Sequence, residues 1–322
     1  MNNAIKYYII TAIIVLLLIL CLVLRGRKGM YGKNYTLAVF NTMGSVSLWG
    51  RDEAVLDKAF QEIMFELQGL HNVINAYDAK SELHRLNDNA FKEPFVCSDA
   101  LWNIIVASCD AFALTEGAFD PTIGAVMRLW GFHKTMKSLP SQEEITAALA
   151  KVGLGKVIFD DDAHSVRFPV EGMALDFGGI AKGYAIDIAK TILDKYGIDM
   201  YMIDLGGNLL LSEKVPGGED AFKVSIRDPN DKNAVARVLR LKGCAVATSG
   251  NYERSRIIQG RKIGHIMDPA TGTPVIQFAS VTAITKRGVH SDVFSTAVFV
   301  RGRPLAERLR QAVPGTDFVI LE

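Results

Sequence analysis

The stretch that most limits how this chain can fold runs from Met173 to Asp187: Met-Ala-Leu-Asp-Phe-Gly-Gly-Ile-Ala-Lys-Gly-Tyr-Ala-Ile-Asp. A short apolar run ends in Asp176, two glycines follow, and a helical pattern then begins. Ile180, Tyr184, Ile188 and Ile192 recur at every fourth position beside Ala181, Ala185 and Ala189, the period of a buried helix face. Gly197 supplies the stop. The expectation is strand, glycine turn, helix. Free N–H groups at such a helix start favour an anion, and Lys182 adds a positive charge in the first turn. Lys182 is followed by Gly183, so this is no Walker loop, and the glycine spacing is not that of a dinucleotide fingerprint. Taken alone, a glycine pair here is more often a plain tight turn.

The remaining chain mixes strands and helices without strict alternation, which argues for α+β, with mixed β-sheets and packed helices, over a doubly wound sheet. Helical patterns are expected over Glu53 to Ile74, Asp99 to Thr115 and Ser141 to Val152, with Ser81 capping a short helix. Strands are expected from Tyr35 to Trp49, broken at Met43-Gly44. Others are expected at Val157 to Phe168, Met173 to Leu175, Met200 to Leu211 with a bulge or bend, Ala221 to Arg227, Ala236 to Leu241, Cys244 to Thr248, Ala279 to Thr285 and Asp317 to Leu321.

At the N-terminus, Tyr7 to Leu24 is an apolar run without a charge, matching the roughly 18–20 residues of a spanning helix. No small-residue cleavage site follows, and Cys21 follows Leu20 where a lipidated cysteine follows a small residue. The expected organisation is an uncleaved anchor over 1–24, a basic linker over 25–33 and one folded domain over 34–322. Arg25, Arg27, Lys28 and Lys33 after the run would place the domain in the cytoplasm by the positive-inside rule. Charge is otherwise balanced, with Lys+Arg 36 against Asp+Glu 35, so nucleic acid is not an expected partner. Cys97, Cys109 and Cys244 match no zinc spacing and read as buried thiols, with a Cys97–Cys109 disulfide as the alternative.

Asp292 and Thr296 are four apart near an expected helix start and share a face. A carboxylate and a hydroxyl are hard oxygen ligands that suit Mg²⁺ better than zinc. The competing reading, favoured by spacing alone, is that Ser291 or Asp292 simply caps the helix. His265 stands beside an Asp268-Pro269 turn, where a histidine is more often a packing residue than a catalyst. His71, His84, His133, His164 and His290 have no ligand-like spacing.

Taken together, the blocks point further. Asp176 to Ala185, Gly264 to Gly272 and Ser291 to Ala297 resemble the signature blocks of the ApbE-type flavin transferases. These are FAD:protein FMN transferases, formerly described as thiamine-biosynthesis lipoproteins. Ser81-Glu82-Leu83, Ala118-Phe119-Asp120-Pro121, Leu205-Gly206-Gly207-Asn208, Ile226-Arg227-Asp228-Pro229 and Thr248-Ser249-Gly250-Asn251-Tyr252 match in the same order, from about Met43 to the C-terminus. The resemblance implies a T-fold-like α+β domain and Mg²⁺-dependent transfer of FMN from FAD to a Ser or Thr hydroxyl of an acceptor protein, releasing AMP. It implies metal ligation by Asp292, Thr296 and the carbonyl of Gly179. FAD would contact Met43, Tyr77, Ala118, Phe119, Asp120, Asp176, Lys182, His265 and Ile266. His265 would activate the acceptor hydroxyl, with Asp292 serving the reaction through the metal. The family works outside the cytoplasm, which sets the expected location as a single-pass inner-membrane anchor with a periplasmic domain, against the charge bias. A FAD pyrophosphatase and a non-catalytic flavin-binding protein remain the alternative functions.

Overall fold

The computed structural model describes residues 30–131, 138–229, 231, 234–251 and 255–322. The expected anchor over 1–24, His133 and Tyr252 lie outside the described residues. Among the described residues no helix is long and apolar enough to cross a membrane. The first strand starts at Tyr31, ahead of the boundary expected at 34.

The frame is a seven-stranded antiparallel sheet in the order β1 (Tyr31–Val39), β2 (Thr42–Gly50), β6 (Met200–Leu205), β7 (Asn208–Leu211), β10 (Cys244–Gly250), β13 (Ser280–Thr285), β14 (Asp317–Leu321). Helices α1 (Glu53–Ile74), α6 (Ala181–Lys195) and α7 (Gly288–Arg301) lie across one face. Alternation along each strand divides the residues. Leu210 and Ala245 join the helices in the main core, whereas Leu211, Cys244 and Val246 face the opposite side. There they pack with a hairpin, β8 (Phe222–Arg227) and β9 (Val235–Leu241). Smaller sheets are β3 (Phe95–Val96), β5 (Ser165–Arg167) and β4 (Ile158–Asp160), and the hairpin β11 (Ser255–Ile258) with β12 (Arg261–Gly264).

The helices begin and end as their caps dictate. Ser81 and Ser98 cap α2 (Glu82–Asn89) and α3 (Asp99–Leu114), and Ser141 with Glu144 forms a capping box on α5 (Gln142–Leu149). Beyond α6, Gly197 takes a positive φ of 66°. The Gly197 N–H donates to Asp194 O and the Ile198 N–H to Leu193 O, a Schellman ending.

Several expectations are corrected. The first hairpin turns at Phe40-Asn41, both with positive φ (52° and 56°), not at Met43-Gly44. Met200 to Leu211 is two strands, turned at Gly206 and Gly207 with φ of 62° and 90°. Met173 to Leu175 joins no sheet; its backbone makes one bridge, from Ala174 to Ile123. The Asn87 side chain instead pairs with both the N–H and the carbonyl of Leu175 (2.7 and 2.9 Å), replacing a ladder partner. The buried face of α6 extends beyond the expected one to Gly183, Ile186 and Leu193 beside Ala181, Ala185, Ala189 and Ile192, while Tyr184 and Ile188 are half-buried at the edge of the same core. Helices α4 (Gly124–Leu129) and α8 (Arg303–Ala312) and the β11–β12 hairpin are additional to those expected. Cys97, Cys109 and Cys244 are free thiols, with burial pushing their pKa values up to about 12, 11 and 11, so the disulfide alternative falls.

Candidate active site

Helices α6 and α7 cross at their first turns, where two glycines meet. A Cβ on Gly183 would lie 2.2 Å from Gly288 O, and one on Gly288 would lie 2.4 Å from Gly183 O. Neither helix caps its own start, for Ile180 and Arg287 make no side-chain cap. Each borrows a carboxylate from the other. Asp187 of α6 accepts the N–H groups of Gly288 (2.6 Å) and Val289 (3.1 Å), and Asp292 of α7 accepts the N–H of Gly183 (2.9 Å). The expectation that Ser291 or Asp292 caps its own helix is therefore overturned. Burial pushes the Asp187 carboxyl above its ordinary value, against the pull of those two N–H donors.

Asp292 is only 5% exposed, and its other oxygen, Oδ1, lies 3.5 Å from Lys182 Nζ. One turn on, Thr296 Oγ1 lies 3.1 Å from Ser249 Oγ, which also bonds Ser295 Oγ at 2.9 Å. Gly179 faces this group: a Cβ there would be 3.7 Å from Thr296 Cγ2 and 3.3 Å from Phe119 Cε2. Gly178 and Gly179 do not use positive φ, so their value is close approach, not an unusual turn.

These residues open into a cleft of about 800 Å³. Tyr77, Ala118, Phe119, Asp120, Asp176, Gly179, Lys182, His265, Ile266, Asp292 and Thr296 all line it. Met43 does not; it is exposed on β2, and its neighbour Thr42 takes the place on the wall. Tyr77 O–H donates to Asp176 Oδ2 (2.7 Å), and Asp176 Oδ1 accepts the Gly178 N–H (2.8 Å). Although 43% of Tyr77 is exposed, withdrawal of its hydroxyl from water, and then the Asp176 charge, push the phenol pKa far above its usual value. The Asp120 carboxylate is turned to the chain itself, accepting from Thr122 N–H (2.8 Å), Thr122 Oγ1 (2.6 Å) and Leu154 N–H (3.3 Å). It shapes the wall. Sequence reasoning gave no role to Asn208, Ser249 or Arg256, which also line the cleft. The first two stand in matching blocks, but only their places on β7 and β10 bring them to the site.

Residues 32–320 match the model of the ApbE family. The FAD:protein FMN transferase of Escherichia coli (strain K12) is 30% identical over 277 residues, spanning 83% of this chain and 79% of that relative. The FAD:protein FMN transferase of Treponema pallidum (strain Nichols) is 30% identical over 311 residues, 92% of this chain and 86% of the relative. Among solved structures, the ApbE protein of Thermotoga maritima MSB8 matches with a TM-score of 0.82 at 30% identity, covering 90% of this chain and 94% of that one. The apo form of the Pseudomonas stutzeri flavinyl transferase ApbE matches at 0.78 and 26% identity, covering 91% and 95%. The mixed α+β fold is shared with these structures. The match runs from the first strand of the large sheet to its last, and the chain belongs to the ApbE family.

Proposed function

We propose that this protein is a FAD:protein FMN transferase, moving FMN from FAD to a Ser or Thr hydroxyl of an acceptor protein and releasing AMP, with Mg²⁺ in the site. The observation that carries the reading is the meeting of Asp292, Thr296, Gly179 and Lys182 in one cleft sized for a dinucleotide. The activity by which the Escherichia coli and Treponema pallidum relatives are named supports it.

The donor set fits Mg²⁺. Among the described residues no cluster of three or more His, Cys, Asp or Glu side chains is present. One nearly buried carboxylate beside hydroxyls is a hard-oxygen site of the kind that Mg²⁺ completes with water and substrate phosphate. Asp292, Thr296 and the carbonyl of Gly179 would hold the ion, which when bound neutralises diphosphate charge and favours departure of AMP. Lys182 adds a fixed positive charge beside that group. Tyr77 and Asp176 orient the ligand on one wall, with Phe119 and Ile266 supplying apolar surface. The acceptor hydroxyl oxygen forms a bond to the FMN phosphorus as the bridging oxygen leaves with AMP, and the hydroxyl proton passes to His265. The apolar run from Tyr7 to Leu24 anchors the chain in the inner membrane, with the folded domain on the periplasmic side.

The test is the full chain in detergent with FAD, Mg²⁺ and a Thr-bearing flavin-acceptor domain, followed by denaturing electrophoresis. Covalent fluorescence on the acceptor, AMP in solution and loss of both with EDTA are expected. Free FMN and AMP without an acceptor would favour the pyrophosphatase, and bound FAD without turnover the binding protein. His265→Ala should bind FAD normally and transfer slowly; an unchanged rate removes His265 from the chemistry. Protease added to intact spheroplasts should digest the domain if it is periplasmic.

A further inference from the structure

Asn208 opens β7, directly after the Gly206-Gly207 turn, and pairs with Leu205 across the hairpin. It lines the cleft, yet it is only 3% exposed. Its amide nitrogen Nδ2 is buried and has no hydrogen-bond partner among the described residues. A buried donor without an acceptor is costly, and natural structures keep few of them. Such a group in the wall of a cleft implies that the acceptor comes with the ligand.

Strand register shows which part of the ligand it meets. On β10, Ala245 stands opposite Leu210 and Val246 opposite Leu209. Continuing the ladder by one pair sets Ala247 opposite Asn208. Residues opposite one another share a face, and so do residues two apart along a strand. Asn208 therefore shares a face with Leu210, Ala245, Ala247 and Ser249, the face covered by α6 and α7. Ser249 is the residue whose hydroxyl lies 3.1 Å from Thr296 Oγ1. The diagonal spacing across a ladder, roughly 7–8 Å, is within reach of an asparagine side chain and one phosphate group. On the opposite face Leu209, Leu211 and Val246 pack against the β8–β9 hairpin, and Thr248 is bonded to Thr282.

We propose that Asn208 is a further FAD-binding residue, its side-chain amide donating a hydrogen bond to a diphosphate oxygen held beside Thr296. This rests on the FAD reading of the cleft. Asn208 binds the ground state and leaves the proton transfer to others, so its removal shows in affinity.

The experiment is calorimetric titration of the full chain in detergent, wild type against Asn208→Ala and Asn208→Asp, with FAD, ADP and riboflavin as separate probes. Asparagine to aspartate preserves volume, removes the donor and adds a repelling charge. Circular dichroism and thermal melting accompany each variant. The expected result is that Asn208→Ala weakens FAD and ADP in parallel by roughly tenfold or more, as for loss of a hydrogen bond to a charged group. Asn208→Asp weakens them further, and the response to riboflavin, which has no phosphate, stays as in the wild type. Unchanged FAD and ADP affinity in a folded variant overturns the proposal. So does equal weakening of riboflavin, which would mean that the cleft has simply collapsed. If Asn208→Ala does not fold, the isosteric Asn208→Asp decides by the same criteria. A wild type that binds neither FAD nor ADP removes the FAD reading and this assignment together. A wild type that binds FAD and transfers nothing removes only the transferase reading, and the ADP comparison still decides for Asn208.

Discussion

Asp187 and Asp292 each cap the helix that carries the other, Asp187 holding the Gly288 and Val289 N–H groups while Asp292 holds that of Gly183. This exchange fixes the rotation and height of α7 against α6, and so sets where Asp292 and Thr296 stand relative to Gly179 and Lys182. The two halves of the clasp differ in one respect. Asp187 lies outside the cleft, half-buried near Arg287, whereas Asp292 also lines the cleft.

Asp292→Asn separates the two duties of that residue. An amide oxygen still accepts the Gly183 N–H, but the charge that faces Lys182, and that a Mg²⁺ ion would need, is gone. We expect a melting temperature close to wild type and metal-dependent transfer reduced roughly a hundredfold or more. Asp292→Ala should lose the transfer and also about 1–2 kcal/mol of stability with the cap. Melting curves beside the acceptor-labelling assay check both; equal melting temperatures for the two variants would mean that the cap contributes nothing.

Asp187 sets a pH dependence. Burial raises its folded pKa above the unfolded value, so the native state binds more protons than the unfolded chain between the two. Its contribution to stability is complete below the unfolded value, ordinarily about 4, and declines as pH rises through the folded value. Asp187→Asn cannot titrate. It loses one of the two N–H contacts, since one carboxylate oxygen becomes a donor, and is offset from wild type at low pH. The gap should then shift in favour of the variant as pH rises from about 4 towards neutrality. Denaturant melts at several pH values measure it; a gap that widens against the variant with rising pH would reverse the sign argued here.

Much of the site is local in sequence, and that part is legible there. The Gly178-Gly179-Ile180 turn, the Asp292/Thr296 pair and the Ser141 and Gly197 helix ends are all short-range patterns. What sequence could not show is pairing at a distance. Asn87 replacing a strand beside Leu175, Asp187 capping Gly288, and Asn208 sharing a face with Ser249 each join residues far apart in the chain. At α6 the period located Ile180, Ala181, Ala185, Ala189 and Ile192 in the core with Tyr184 and Ile188 packed at its edge, but not the close approach of Gly183 to Gly288, which joins two distant helices. Met43 matched by position, yet it is exposed on β2, three residues beyond the start of a turn that falls at Phe40-Asn41, and its neighbours Asn41 and Thr42 line the cleft.

Gly183→Ala should break the crossing. The added Cβ would lie 2.2 Å from Gly288 O and 2.7 Å from Asp292 Cβ, and a backbone carbonyl cannot rotate away. The helices must separate, at a cost on the order of 1–3 kcal/mol, and Asp292 moves with α7. We expect a lower melting temperature and a raised Mg²⁺ requirement in the same variant. Gly69→Ala, where nothing lies within 4 Å, is the control for alanine on a helix and should be neutral or slightly stabilising. Wild-type behaviour of Gly183→Ala would show that the two helices are not in close contact.

Lys182 makes the sharpest discriminator because it acts on two charges of opposite sign. Its ammonium lies 3.5 Å from Asp292 Oδ1, where it would compete with a divalent ion for the carboxylate, and it also lines the cleft where a diphosphate would bind. Lys182→Met keeps the length and apolar stem and removes the charge. We therefore expect opposite changes: Mg²⁺ half-saturation falls several-fold because its competitor is gone, and the Kd for FAD rises several-fold because an attraction is lost. Titrating Mg²⁺ at saturating FAD, and FAD without metal, measures the two separately. A structural defect would weaken both. If Mg²⁺ and FAD affinities instead fall together in a folded variant, Lys182 supports the shape of the site and not its charge.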